Sequence, residues 1–449
     1  MLTTLDFKKI GIKTAYSYIE KNPEKNMLKL MDWVDHFAGS GPESFEEQRA
    51  IIRQIAADPD SNWHQLVMRD QDDTDCEVVK TVFTNFFLNA VLTGWKTQEE
   101  NRRNYQCNIP WTILLDPTSA CNLHCTGCWA AEYGNKLNLS FDEMDNLITQ
   151  GKELGIYFYI YTGGEPLVRK QDLIALCQKH HDCIFLSFTN GTLIDEAFAQ
   201  DMLRVKNFIP AISVEGTQES HDARRGAGSY AKVLAAMQLL KAHRLPFGVS
   251  CCYTSQNVKI LGSEAFYDQM IELGAAFAWF FHYMPVGNDA VPQLMPTVQQ
   301  REWMYRQVRQ LRQTKPLFTM DFQNDGEYVG GCIAGGRRYL HINANGDADP
   351  CVFVHYSNAN IRTHSLLDCL RSPLFLAYHH GQPFSKNHLR PCPMLGNPEK
   401  LRAMVTAADA HSTDLQSPES VEHLCAKCDQ YAADWKIAAD KLWCESHRN

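Results

Sequence analysis

Cys121-Asn122-Leu123-His124-Cys125-Thr126-Gly127-Cys128 places three thiols within eight residues, spaced C-x3-C-x2-C. The loop follows an apolar run, Trp111-Thr112-Ile113-Leu114-Leu115, that reads as a strand. A loop this short can wrap three cysteines around one corner of an iron–sulfur cube and leave the fourth iron without a protein ligand. That open position separates a cluster that does chemistry from one that only carries electrons. Taken alone, the same thiols also suit zinc or an electron-transfer cluster, so the surrounding chain has to decide.

At 449 residues the chain can hold two or three domains with real cores. A hydrophobic fraction of 45% and a charged fraction of 21% describe an ordinary globular protein. The formal charge of −9 argues against nucleic acid as a partner, because phosphate binding needs a basic surface. Met1-Leu2-Thr3-Thr4-Leu5-Asp6 leads into amphipathic segments without a charged-then-apolar export signal. The longest apolar stretch, Thr81 to Trp95, is broken by Thr84, Asn85 and Asn89 and falls short of the roughly 20 apolar residues that a membrane span needs. The expectation is a cytoplasmic chain with no transmembrane segment. Sixteen cysteines in such a chain are not a disulfide scaffold, which is small and exported. Clustered cysteines there point to metal, whereas the scattered Cys177, Cys183, Cys251 and Cys252 read as small buried hydrophobes.

Residues 1–107 read as helical, for example Lys13 to Glu20, Met27 to Phe37, Glu47 to Ala56 and Val78 to Leu92. Breaks fall at Gly39-Ser40-Gly41-Pro42 and Asp58-Pro59-Asp60. The Phe86-Phe87-Leu88 run either faces a membrane or greasy substrate, giving peripheral membrane contact, or packs on the next domain. From residue 108 short apolar runs alternate with amphipathic helices. The strands are expected at 111–116, 156–161, 183–188, 208–214, 247–253 and 276–282. Between them run helices such as Ser140 to Leu154, with Ser140 and Glu143 as a capping-box pair, Asp195 to Val205 and Ser229 to His243. Six βα repeats imply an α/β fold with a parallel sheet, open or curled into a partial (β/α)6 barrel of the TIM type, the form expected here.

In such folds the site is built from loops at the C-terminal ends of the strands, which is where the cysteine loop falls. The same rule selects Thr162-Gly163-Gly164-Glu165-Pro166, Thr189-Asn190-Gly191, Ser213-Val214-Glu215-Gly216 and His221-Asp222-Ala223-Arg224-Arg225-Gly226. Each alone reads as a turn or helix cap. Together they describe a polar pocket with hydroxyl and amide groups for a ribose and a guanidinium for a carboxylate.

With these motifs in order, the chain resembles the radical S-adenosylmethionine (SAM) superfamily from about residue 108 to 285. The resemblance implies that Cys121, Cys125 and Cys128 hold three irons of a 4Fe–4S cluster, with the SAM amino and carboxylate groups on the fourth. It implies that Gly163, Gly164 and Glu165 hold the SAM amino group, and that Asn190, Ser213, Glu215 and Arg225 approach its ribose and carboxylate. The family carries an aromatic residue just before the third cysteine; here that position is Gly127, and Trp129 on the other side of Cys128 takes the adenine instead. The implied reaction is reductive cleavage of SAM to methionine and a 5′-deoxyadenosyl radical, which abstracts hydrogen from a substrate C–H bond. The electron comes from a reducing partner such as flavodoxin or ferredoxin. No side-chain acid or base is required, and none is named.

Around Asp321 the βα rhythm stops. Cys332 precedes a hairpin-like run, Tyr339 to Asp347, with a reversal at Asn345-Gly346 that delivers Cys351. Cys392 and the pair Cys425-Ala426-Lys427-Cys428 follow. This resembles the SPASM/Twitch extensions of the superfamily, which implies a single auxiliary 4Fe–4S cluster on Cys332, Cys351 and two of Cys392, Cys425 and Cys428. A structural zinc held by four cysteines is the competing reading. Cys369 and Cys444 are expected to be ordinary thiols. The expected division is a helical region at 1–107, a barrel core at 108–325 and an auxiliary iron–sulfur domain at 326–449. The substrate is expected to be a peptide or natural product, with a lipid or isoprenoid chain or a small cofactor precursor as alternatives. A non-catalytic iron–sulfur or zinc protein is the alternative of a different class. It explains the cysteines but not Gly163-Gly164-Glu165 or the polar strand-end loops.

Overall fold

The computed structural model describes residues 46–446. The helices expected at 13–20 and 27–37 and the break at 39–42 lie outside the described residues.

The strand before the cysteine loop is β1 (Thr112–Leu115). It pairs in parallel with β2 (Phe158–Tyr161), and the order continues through β3 (Ile184–Thr189), β4 (Phe208–Ser213), β5 (Gly248–Tyr253) and β6 (Phe277–His282). These are the six expected strands, curled as a partial barrel. Their near-continuous apolar character reflects burial on both faces. Side chains split with period two: Ile113, Leu115, Tyr159, Tyr161 and Phe185 pack under the helices. Leu114, Phe158, Ile160, Ile184 and Leu186 turn to the other face and join the core there.

The parallel rhythm runs one unit further than expected. Helix Val298–Thr314, started by a Thr297/Gln300 capping box, feeds β7 (Phe318–Asp321), parallel to β6. On the far side of β1 the sheet continues with β8 (Tyr339–Ile342), parallel, and β9 (Ala348–Asp349), antiparallel to β8. The expected reversal is present, with Gly346 at φ +87°, where a side chain is disfavoured. The sheet stays open between β7 and β9. Phe322, after β7, packs edge-on against Tyr339 of β8 at 6.1 Å and against Phe353 at 6.5 Å. A short pair, β10 (Tyr356–Ser357) with β11 (His411–Ser412), lies in the C-terminal part.

The N-terminal helices cross the base of the barrel, at the N-terminal ends of the strands. Helix Cys76–Phe83 runs directly into a π-helical stretch, Thr84–Gly94, and then into helix Trp95–Tyr105. Their buried amides serve the carbonyls that lead into strands. Asn85 Nδ2 donates to His181 and Cys183, Asn89 Nδ2 to Asp182, and Gln98 Nε2 to Gly155, all at 2.8 Å. Helix Asn62–Asp73 does the same further round: Asn62 donates to Arg312 and Lys315, and Arg69 to Ala275. These bonds serve carbonyls that burial would otherwise leave costly, although Cys183 also accepts from Asn207 and Lys315 from the Leu317 N–H. In the Phe86-Phe87-Leu88 run, Phe86 packs inward, edge-on to Trp111 at 5.4 Å and to Phe158 at 5.8 Å, and Leu88 is buried, while Phe87 stays 47% exposed. No helix among the described residues is long and apolar enough to cross a membrane.

Candidate functional site

The loop after β2 meets the loop after β1 backbone to backbone. A Cβ on Gly164 would lie 2.3 Å from the Ala120 carbonyl oxygen and 2.5 Å from that of Ser119. A Cβ on Gly163, at φ +100°, would lie 2.7 Å from the Asp116 side chain and 2.8 Å from the Thr118 carbonyl oxygen. The contact is sealed by the Gly164 N–H donating to Thr118 (3.1 Å) and the Glu165 N–H to Ala120 (2.8 Å). Only glycines permit this approach, and it fixes the entry to Cys121.

Glu165 is 1% exposed, and its carboxylate accepts from Thr189 Oγ1 (2.7 Å), Asn190 N–H (2.7 Å) and Leu167 N–H (3.0 Å). Burial pushes its pKa up against those hydrogen bonds. It ties the β2 loop to the β3 loop. Asn190 Nδ2 donates to Asn122 (2.8 Å) and reaches Cys121 Sγ at 4.0 Å; Leu123 N–H donates to the same sulfur at 3.4 Å. Burial pushes the Cys121 thiol up to about 11 and raises Cys125 as well.

Glu215 is fully buried behind Arg224 and Arg225 and pairs with each at 2.7 Å. Burial opposes its charge, but the two guanidiniums outweigh that and hold the carboxyl below its usual range. Glu215 is absent from the cavity wall, whereas both arginines, Ser213 and Asn190 line it. Trp129 lines it and packs edge-on against His341 at 5.8 Å and His355 at 5.9 Å. A residue not signalled by the sequence reading joins the group: Tyr283, after β6. A Cβ on Gly127, at φ +65°, would lie 2.5 Å from its phenol oxygen, so Tyr283 fills the space above that glycine. The phenol is fixed by accepting the Val291 N–H at 3.0 Å.

Cys121, Cys125 and Cys128 open onto a cavity of about 1030 Å³. Cys332, Cys351 and Cys392 line the same cavity. Cys425 and Cys428 are fully buried and belong to the same apolar cluster, outside the cavity wall. Cys332, Cys351 and Cys392 pack against the cluster that holds Cys425 and Cys428, so the structure gathers all five. Burial pushes Cys351 and Cys425 up to about 12. Tyr339 Oη lies 2.8 Å from Cys351 Sγ, and Cys392 Sγ accepts the Met394 and Leu395 N–H groups at 3.3 and 3.4 Å. All sixteen cysteines are free. Among the described residues, no group of three or more His, Cys, Asp or Glu is drawn together on the scale of a single metal ion. The donor sets fit iron–sulfur clusters: half-buried thiols, with Cys425 and Cys428 buried, and N–H groups aimed at the sulfurs of Cys121 and Cys392, where iron would favour the thiolate.

Between the two cysteine groups the wall is aromatic and aliphatic: Phe158, Ile160, Phe188, Trp279, Phe281 and Phe353. Phe188 packs on Trp279 at 5.3 Å, and Trp279 stacks on Phe281 at 5.6 Å.

Comparison with known proteins agrees with this layout. Residues 115–257 match the family model of the radical SAM superfamily, and residues 332–394 match the SPASM model of an iron–sulfur cluster-binding domain. The chain is 25% identical over 285 residues to the AdoMet-dependent heme synthase of Methanosarcina barkeri, covering 57% of this chain and 80% of that one. It is 26% identical over 262 residues to the PqqA peptide cyclase of Granulibacter bethesdensis, covering 54% and 67%. Among solved structures, Streptococcus suis SuiB bound to its precursor peptide SuiA shares the fold with a TM-score of 0.51 at 17% identity, over 62% of this chain and 68% of that one. The matched domains imply a 4Fe–4S cluster with SAM and auxiliary iron–sulfur binding. The chain is an enzyme of the radical SAM superfamily that carries a SPASM domain.

Proposed function

We propose that this enzyme abstracts hydrogen from a C–H bond of a bulky apolar substrate held in the barrel lumen. The observation that carries the reading is one cavity, walled by aromatic rings, that joins Cys121, Cys125 and Cys128 to Cys332, Cys351 and Cys392. The reduced 4Fe–4S cluster with SAM supplies a 5′-deoxyadenosyl radical, as is general for the superfamily. The protein's own work is to bind, orient and exclude water. Cys121, Cys125 and Cys128 would hold the catalytic cluster, on a loop pinned by Gly163 and Gly164. Asn190, Ser213 and Arg225 would meet the ribose and carboxylate of SAM. Glu165 and Glu215 act one step back: the first locks two loops together, and the second holds both arginines in place. Trp129 and Tyr283 flank the third cysteine as candidate contacts for the adenine.

Cys332 and Cys351, with two of Cys392, Cys425 and Cys428, would hold an auxiliary 4Fe–4S cluster, and a flavodoxin- or ferredoxin-type protein would supply electrons. In functional terms the chain divides into an N-terminal region at 1–107, whose described helices from Glu46 on form the base of the barrel, a catalytic core at 108–325 and an auxiliary iron–sulfur part at 326–449. The names of PqqA peptide cyclase and of SuiB with its precursor peptide speak for a peptide as the second reading. A peptide needs partners for its backbone amides, whereas this lumen offers mainly rings, so an apolar substrate comes first. The test is anaerobic reconstitution with iron and sulfide, then SAM and dithionite. 5′-Deoxyadenosine should form with the wild type and be absent with Cys125→Ala; no product from a fully reconstituted wild type refutes the reading.

A further inference from the structure

The lumen does not end at the cysteines. It runs the length of the strands to the base of the barrel, where Trp63, Val91, Trp95, Trp111 and Phe318 line it. There Phe318, Tyr328 and Val329 are 45%, 63% and 43% exposed, an apolar rim of the kind that marks a binding mouth.

The arginines of the cavity wall differ in how they are neutralised. Arg224 and Arg225 share Glu215, and Arg312 pairs with Asp325 at 2.6 Å. Arg338, at the start of β8, lies within ion-pair distance of no carboxylate among the described residues. Its guanidinium sits 4.6 Å from the centre of the Trp95 ring, which Arg102 also approaches, at 5.0 Å. Arg102 has Glu99 as its ion-pair partner, and Arg337 spends its donors on the carbonyls of Cys332 and Val329. Three guanidiniums therefore meet beside one carboxylate. Burial, and then the charges of Arg102 and Arg337, push Arg338 down to about 10 against the smaller pull of Glu99, which is already paired with Arg102.

We infer that the substrate is an anionic amphiphile whose hydrocarbon chain lies in the lumen and whose carboxylate or phosphate head rests on Arg338 at the base. The apolar rim takes up the chain, the unpaired guanidinium holds the head, and carbons remote from the head reach the cysteine end. This rests on the apolar-substrate reading above and specifies it. A fully apolar substrate would leave Arg338 unpaired, and a peptide would leave the aromatic wall without a matching surface.

The experiment is calorimetric titration of the anaerobically reconstituted full chain with dodecyl phosphate, dodecanoate, dodecanol and inorganic phosphate, each below its aggregation concentration. Dodecyl phosphate or dodecanoate should bind at least about 10-fold more tightly than dodecanol or inorganic phosphate, the worth of one charge-assisted contact. Arg338→Ala should bring the anionic chains to the dodecanol level, with Arg338→Lys in between. The tighter of the two heads tells a phosphorylated lipid from a fatty acid. Equal binding of dodecanol and the anionic chains by the wild type overturns the inference, and that comparison stands if the variant does not fold. So does an Arg338→Ala protein that binds the anionic chains unchanged. Binding needs no turnover, so absent 5′-deoxyadenosine with intact lipid binding would refute the radical reaction alone.

Discussion

Gly164 carries no side chain because none fits between β2 and the run into Cys121. Gly164→Ala forces a methyl group against two carbonyl oxygens at 2.3 and 2.5 Å, so the two loops must part. The expected outcome is SAM binding weakened about 10-fold or more by calorimetry, as befits a displaced binding loop. His341 of β8 makes a second residue-scale prediction. Its Nε2 stands 2.9 Å from Asp116 Oδ1 and its Nδ1 3.3 Å from Asp349 Oδ2, and all three groups are fully buried. Burial opposes the imidazolium, but the two carboxylates prevail and raise its pKa from 6.5 to about 9. A raised pKa contributes stability that is complete below the unfolded value and lost as pH climbs through the folded one. Thermal melts should therefore show stability falling between about pH 6.5 and pH 9. His341→Ala should flatten that slope and cost about 3–5 kcal/mol, by taking the shared cation from two buried carboxylates, of which Asp349 keeps the Tyr133 and Thr413 hydrogen bonds.

At the scale of elements, the base of the barrel is held by side-chain amides. Asn85→Ala strands the carbonyl of His181, leaves that of Cys183 to Asn207 alone, and should lower the unfolding free energy in urea by about 1–3 kcal/mol. Six strands and the helices between them were legible because their apolar runs are bounded by clear caps, as at Ser140 and Glu143. β7 was not: four residues with an exposed Phe318 give too short an alternation to read. The Val78–Leu92 helix was legible as helix, but its π-helical turns were not, since nothing in the pattern of Thr84–Gly94 distinguishes them. β8 read as one arm of a hairpin, which it is. Its parallel pairing with β1 depends on partners more than 200 positions away in the chain.

At the scale of the whole molecule, two cysteine groups far apart in sequence face one cavity. The cysteine loop and the strand-end motifs were readable from spacing. Tyr283, the burial of Glu215 behind two arginines and the unpaired Arg338 were not, because each is defined by neighbours that only the folded chain supplies. If both groups carry cubes, reconstituted protein should hold about eight irons per chain. Cys332→Ala should lose roughly half of them and keep the SAM-dependent absorption change of the first cluster; loss of both clusters together would mean the two sites are not independent. The most direct measurement is 5′-deoxyadenosine formed from SAM by the anaerobically reconstituted, dithionite-reduced enzyme. Wild type should release it and Cys121→Ala should not, although that variant keeps the auxiliary iron. Equal release by both, or none from wild type with its full iron content, would contradict a catalytic cluster at Cys121, Cys125 and Cys128.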